Sequence, residues 1–272
     1  MKIPFLKMHG LGNDFVIINN QSQKINIDKN LIIKIASRNF GVGCDQILTI
    51  NAFVENKAVI KIYNNDGSET GACGNGVRCL ASYLMDINNL NNIIISTIED
   101  ELFCWKEGKL ISVNMGKPKF KPNEIPLNKK LNVSNFEING FKLNCLSFGN
   151  PHAVVFLKSL NALEKINIPE IGSMIEKHEN FPQGVNVEFA TILEDKSIRM
   201  KVWERGVGVT AACGSGACAT LVVANMLNIS CKKNKVILDG GELAINWKED
   251  DNVVMTGEVE QVFEGKFYVN RK

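Results

Sequence analysis

The chain has 272 residues, 45% of them hydrophobic and 22% charged, a balance that excludes a disordered chain and, at roughly 150 residues per domain, predicts two domains. Lys and Arg number 31 against 29 Asp and Glu, a formal charge of +2. That charge supplies no field to hold nucleic acid or an anionic membrane, and a small molecule is the expected partner.

In chain order, Ile3 to Met8 and Phe15 to Ile18 carry the β-branched and aromatic residues of strands. Neither they nor any later segment forms a signal peptide or reaches the roughly 18 uncharged apolar residues of a spanning helix. The expected location is the cytoplasm, where Cys44, Cys73, Cys79, Cys104, Cys145, Cys213, Cys218 and Cys231 stay reduced. None of them forms a Cys-x-x-Cys pair, so the usual zinc and thioredoxin-like motifs are absent and no metal is expected. A helix is predicted at about Asp28 to Arg38, with Asp28 as its N-cap, and a strand at Val59 to Tyr63. Val77, Leu80, Ala81, Leu84 and Met85 follow the apolar spacing of one helix face. Ile93 to Ile98 reads as a strand. Gly116 to Pro126 holds three of the seven prolines, Pro118, Pro122 and Pro126, and so reads as a linker. Further strands are expected at Ala153 to Leu157, Val185 to Phe189, Ile198 to Trp203 and Ala244 to Trp247. Between the last two, Ala217, Leu221 and Ala224 repeat the helical spacing more weakly. The apolar segment from Val262 to Val269 is expected to return to the first domain as a strand.

The sequence also repeats itself. Thr70-Gly-Ala-Cys-Gly-Asn-Gly76 matches Thr210-Ala-Ala-Cys-Gly-Ser-Gly216 at five of seven positions, with an offset of 140 residues. Gly12-Asn13 recurs as Gly149-Asn150 at 137, and Phe40 with Gly43 as Phe181 with Gly184 at 141. A period this long means two copies of one domain and not a solenoid. The expected class is α+β, with residues 1–115 and the returning strand 259–272 as one domain and 116–258 as the other. Each is expected to be a curved, mainly antiparallel, barrel-like sheet around a central helix.

A lone free Cys is usually a core residue, but a duplicated Cys-Gly-x-Gly at two helix starts points to chemistry. Unpaired amides and the positive helix end favour a thiolate, lower its pKa toward neutrality and can bind a carboxylate. Two such thiols on opposite faces of one α-carbon could remove and return its proton, inverting the centre without a pyridoxal cofactor.

At these residues the sequence resembles the diaminopimelate epimerases. The resemblance runs over nearly the whole chain, through Lys7-Met-His-Gly-Leu-Gly-Asn-Asp-Phe15, Gly43-Cys-Asp-Gln46, Asn64-Asn-Asp-Gly-Ser68, Cys73-Gly-Asn-Gly-Val-Arg78, Gly149-Asn-Pro-His152, Val185-Asn186, Glu204-Arg-Gly206 and Cys213-Gly-Ser-Gly-Ala-Cys218. It implies a bilobal fold with the active site in the interdomain cleft and cofactor-free epimerisation of LL- to meso-diaminopimelate, in lysine and peptidoglycan biosynthesis. Cys73 and Cys213 are the implied acid/base thiols, and His152 and Glu204 the residues that tune them. Gly74, Asn75, Gly214 and Ser215 would hold the reacting carboxylate. Asn13, Gln46, Asn64, Asn150, Asn186, Glu204 and Arg205 would bind the rest of the substrate. Family habit also implies a homodimer. The chain departs from the family at Val209, where Glu is usual, and at Asn65, where Ala is common.

Blander readings stand beside these. Single Asn residues often only shape turns. His9 and His178 are expected to be structural or surface groups, Cys79 and Cys218 to pack inside helices, and Lys129, Lys130, Lys232, Lys233 and Lys235 to be solvated. Arg78 could brace the fold or assist the site. The rival functions are a proline or hydroxyproline racemase of the same fold and a non-catalytic binding or redox module. The racemases typically have His where Asn75 stands.

Overall fold

The computed structural model describes residues 2–21, 24–71, 73–128 and 132–269; Lys129 and Lys130, and the last three residues of the expected returning segment, lie outside them. The chain opens with β1 (Lys2–Gly10) and β2 (Asn13–Asn19), then α1 (Lys29–Ala36), β3 (Gln46–Val54), β4 (Lys57–Asn64) and the two-residue β5 (Glu69–Thr70). The long helix α2 (Gly74–Ile87) follows, then β6 (Asn92–Ser96), β7 (Glu101–Glu107) and β8 (Leu110–Asn114). Next come β9 (Ser134–Ile138), β10 (Phe141–Ser147), β11 (Pro151–Phe156), α3 (Leu160–Lys165), α4 (Ile168–Glu176), β12 (Asn186–Ile192), β13 (Ile198–Glu204) and β14 (Gly208–Thr210). The second long helix, α5 (Gly214–Met226), precedes β15 (Lys233–Leu238), β16 (Gly241–Trp247), β17 (Val253–Gly257) and the final β18 (Glu260–Tyr268). The chain divides into two units, Met1–Val113 with Gly257–Lys272, and Asn114–Thr256.

In unit 1 the ladder runs β18, β1, β2, β3, β4, β6, β7, β8, antiparallel except for the parallel pairs β2/β3 and β4/β6. Unit 2 repeats the order as β9, β10, β11, β12, β13, β15, β16, with β11/β12 and β13/β15 parallel. Parallel neighbours cannot be joined by a tight hairpin. The crossovers are the helices: α1 links β2 to β3, α2 links β4 to β6, α3 and α4 link β11 to β12, and α5 links β13 to β15.

Strand residues alternate between two layers. In unit 1, Val16, Ile18 and Ile47 join Leu31, Ile32 and Ile35 of α1 in one core cluster. In unit 2, Ala153, Val155, Val187 and Phe189 pack with Leu163 of α3 and Ile168 and Ile175 of α4. On the other side, α2 packs on β1, β2, β3, β6 and β7, and α5 on β10 to β13, β15 and β16.

The predicted N-cap is in place, with the Leu31 amide donating to Asp28 Oδ1 at 2.8 Å. The weak periodicity after Cys213 has a physical reason: Gly214 to Ala224 are all buried, so α5 has no polar face to alternate with. Helices α3 and α4 were not foreseen. The local signal for α4 lay in Asn167-Ile-Pro-Glu170, where Asn167 accepts from the Glu170 amide at 3.5 Å and Pro169 stands in the first turn. Among the described residues no helix is long and apolar enough to cross a membrane. Lys232 and Lys235 pair with Glu249 and Glu242 at 3.2 and 2.8 Å on the surface.

Candidate active site

In unit 1 the expected residues gather at the strand ends nearest the start of α2. Cys73 is the helix N-cap, and its Sγ accepts from the Gly76 amide at 3.3 Å. Gly74 and Asn75 form the first turn. Asn13, at the start of β2, turns its Oδ1 toward this cap, 4.0 Å from Cys73 Sγ and 3.4 Å from Asn75 Nδ2. Gln46 and Asn64 face each other across β3/β4, with Gln46 Nε2 donating to Asn64 Oδ1 at 2.9 Å. Arg78 is fully buried and donates to Asn75 Oδ1 at 3.0 Å, so it braces a site residue from within the fold.

Asn13 is held by a charged network. Its Nδ2 donates to Asp45 Oδ2 at 2.8 Å, and Asp45 also accepts from Arg38 at 2.7 Å. Arg38 and Lys7 both donate to Asp14. Burial pushes the Asp14 carboxyl up, but these two cations outweigh it and hold it at about 2.

In unit 2, Cys213 is the N-cap of α5, with Gly214 and Ser215 in the first turn and Ser215 Oγ 3.7 Å from Cys213 Sγ. Asn150 Nδ2 donates to Ser215 Oγ at 3.2 Å, and its Oδ1 lies 3.0 Å from His152 Nε2. His152 Nδ1 in turn lies 2.7 Å from Glu188 Oε1. Glu204 ends β13, and its Oε1 accepts from Thr210 Oγ1 across the β13/β14 hairpin. Burial and Glu188 raise the Glu204 carboxyl, while Thr210, His152 and Cys213 pull the other way.

Asn186 and Arg205 serve each other. Asn186 Oδ1 accepts from the Arg205 amide and its Nδ2 donates to the Pro151 carbonyl, both at 2.9 Å. Glu176 at the end of α4 ties down the same loop, accepting from Trp203 Nε1 at 2.6 Å and the Gly206 amide at 2.9 Å. The Arg205 guanidinium is exposed and reaches the Gln183 carbonyl at 3.3 Å. Val209 is exposed beside this loop. Among the described residues no group of three or more His, Cys, Asp or Glu is arranged to hold a metal.

The diaminopimelate epimerase family model matches residues 5–121 and 144–262. The chain is 38% identical to the diaminopimelate epimerase of Acetivibrio thermocellus, covering 98% of this chain and 99% of that one. It is 40% identical to that of Acidiphilium cryptum, covering 97% and 95%. The chain belongs to the diaminopimelate epimerase family. Solved structures with the same fold include a phenazine biosynthesis protein from Bacillus anthracis, with TM-score 0.71, 14% identity and coverage of 99% and 100%. A hydroxyproline epimerase from Agrobacterium vitis has TM-score 0.67, 12% identity and coverage of 97% and 92%. At these identities they show the fold alone.

The structure of this diaminopimelate epimerase family member corrects one expectation. A helix start was expected to lower both thiols, but burial raises Cys213 well above the usual thiol value, and Glu204 and Glu188 add to the rise. The Gly216 amide and Ser215 act in the opposite direction and are outweighed. Cys213 therefore rests as a thiol. Sequence reasoning also missed Asp45 and Glu188. Asp45 lay inside the quoted Gly-Cys-Asp-Gln block, whereas Glu188 carries no motif signal and is found only through its strand register with Val154.

Proposed function

We propose that this enzyme interconverts LL- and meso-diaminopimelate by two-base proton transfer at the α-carbon. What carries the reading is a pair of equivalent constructions, a Cys N-cap on a buried central helix with an Asn amide beside it, in a chain 38% identical to a diaminopimelate epimerase along its length. Cys73 and Cys213 act as base and acid on opposite faces of the carbon and exchange roles in the reverse direction. The carbanion's charge flows into the α-carboxylate. The amides at Gly74, Asn75, Gly214 and Ser215 oppose that charge, which is the electrostatic contribution expected to be largest.

Asn13, Gln46, Asn64, Asn150, Asn186, Glu204 and Arg205 bind the rest of the substrate, including its distal amino-acid end, whose carboxylate needs donors and whose ammonium needs acceptors. His152 and Glu204 tune the thiols. Two thiols suffice for this chemistry in principle, so no cofactor is invoked. The setting this reading favours is the cytoplasm, where thiols stay reduced. A homodimer is the assembly the family resemblance favours, and sedimentation checks it.

The deciding experiment follows LL-diaminopimelate by proton NMR in D2O with the reduced enzyme and no additive. Loss of the α-proton signal together with appearance of the meso isomer is the expected result. Exchange of proline or hydroxyproline in its place would move the enzyme to the racemases, and no exchange with any of the three would leave a binding or redox role.

A further inference from the structure

Equivalent positions of the two units differ at one buried pair. In unit 1 the parallel strands β2/β3 run in the register Phe15↔Gln46 and Ile17↔Leu48. In unit 2, β11/β12 run His152↔Asn186 and Val154↔Glu188. The positions that hold Phe15 and Leu48 in one unit therefore hold His152 and Glu188 in the other. The glycines of the central helices report the same equivalence. A Cβ on Gly76 would come within 3.1 Å of Phe15 Cε1 and 3.2 Å of Leu48 Cδ2, whereas one on Gly216 would come within 2.7 Å of Glu188 Oε1. All four side chains are 0% exposed.

Unit 1 shows that this frame is satisfied by an apolar pair. A buried His–Glu pair costs desolvation that a Phe–Leu pair does not. Glu188 Oε2 is moreover buried without a hydrogen-bond partner among the described residues. Stability alone therefore does not account for the carboxylate.

The hydrogen bonds lead to the thiol. The His152 ring lies between two oxygens, Glu188 Oε1 at 2.7 Å from Nδ1 and Asn150 Oδ1 at 3.0 Å from Nε2. Glu188 and Asn150 thus hold the ring from its two nitrogens. Asn150 Nδ2 in turn donates to Ser215 Oγ at 3.2 Å, and Ser215 Oγ lies 3.7 Å from Cys213 Sγ.

We propose that Glu188 is a positioning residue whose carboxylate, through His152, holds the chain His152–Asn150–Ser215 in place beside Cys213. This rests on the reading of Cys213 as an acid/base thiol. It adds a residue to that reading.

The test uses the full chain with Glu188→Leu, which installs the residue unit 1 already carries, and the isosteric Glu188→Gln. Three quantities are read: kcat with LL-diaminopimelate, the melting temperature, and the ring 15N signals of His152. In Glu188→Leu the ring signals of His152 are expected to move, with melting unchanged or raised and kcat lowered about 10- to 100-fold, as for other groups that orient a functional His. A folded Glu188→Leu with kcat within about threefold of wild type overturns the proposal. If that variant does not fold, Glu188→Gln decides, since it keeps the volume and loses the charge: a kcat loss with moved ring signals supports the role and a wild-type kcat refutes it. Ring signals that stay in place in the folded variants overturn the positioning role whatever the substrate proves to be. Absence of epimerisation by the wild type, with ring signals that move in Glu188→Leu, would instead count against the proposed function.

Discussion

Cys73 and Cys213 cap equivalent helices in different surroundings, the first half-buried and the second buried and flanked by Glu188 and Glu204. Because burial and these carboxylates raise Cys213, its neutral form persists above the ordinary thiol value of 9.0, and its reactivity should climb only in alkaline solution. Timed alkylation with iodoacetamide and mass-spectrometric readout should therefore find Cys213 nearly inert at neutral pH, as should be Cys44 and Cys79, both pushed up to about 12 by burial. Rapid neutral labelling of Cys213 in the ligand-free enzyme would contradict this environment. Replacing either proposed base, Cys73→Ala or Cys213→Ala, should lower epimerisation by on the order of a hundredfold or more with circular dichroism unchanged. Both cysteines were legible because the motif is repeated. Glu188 was not, because a single Glu in a strand has no distinguishing neighbours in sequence and gains its meaning from His152, 36 positions away.

Among the elements, caps were legible where short polar residues precede an apolar run. Asp28 both reads as and forms the N-cap of α1, and Asp28→Ala should cost about 1 kcal/mol in urea unfolding, with the m-value unchanged. A loss below a few tenths would mean that the 2.8 Å bond to the Leu31 amide contributes little. Helix α5 was harder to read than α2. A helix enclosed on every side needs no amphipathic stripe, and only its Cys-Gly-x-Gly opening announced it. The α4 helix matters to the site through Glu176, which anchors the loop carrying Glu204 and Arg205. Its cap residues were present in the sequence, but its function depends on where the 203–206 segment lies.

At the scale of the whole molecule, unit 1 is discontinuous in sequence, because β18 pairs with β1 from Lys2↔Tyr268 to His9↔Glu260. Truncation after Gly257 should therefore loosen unit 1 selectively. Hydrogen exchange should show lost protection in β1 while α5 and β12 keep theirs. Equal loosening of both units would argue against independent cores. The duplication was visible in the sequence at offsets of 137, 140 and 141 residues. The shared ladder order and the parallel β2/β3 and β11/β12 pairs were not, because strand order is set by crossovers whose direction no local pattern encodes.

By itself the sequence determined the repeated Cys-capped helices, the α+β class and the family, since helix caps, glycine turns and apolar spacing belong to contiguous residues and carry their physics with them. Only the tertiary structure decided that Cys213 rests as a thiol, that Asp45 holds Asn13, and that a His–Glu pair fills in unit 2 the space of a Phe–Leu pair in unit 1. Desolvation and charge proximity sum over groups brought together from distant parts of the chain, and that sum exists only once the strands are in register.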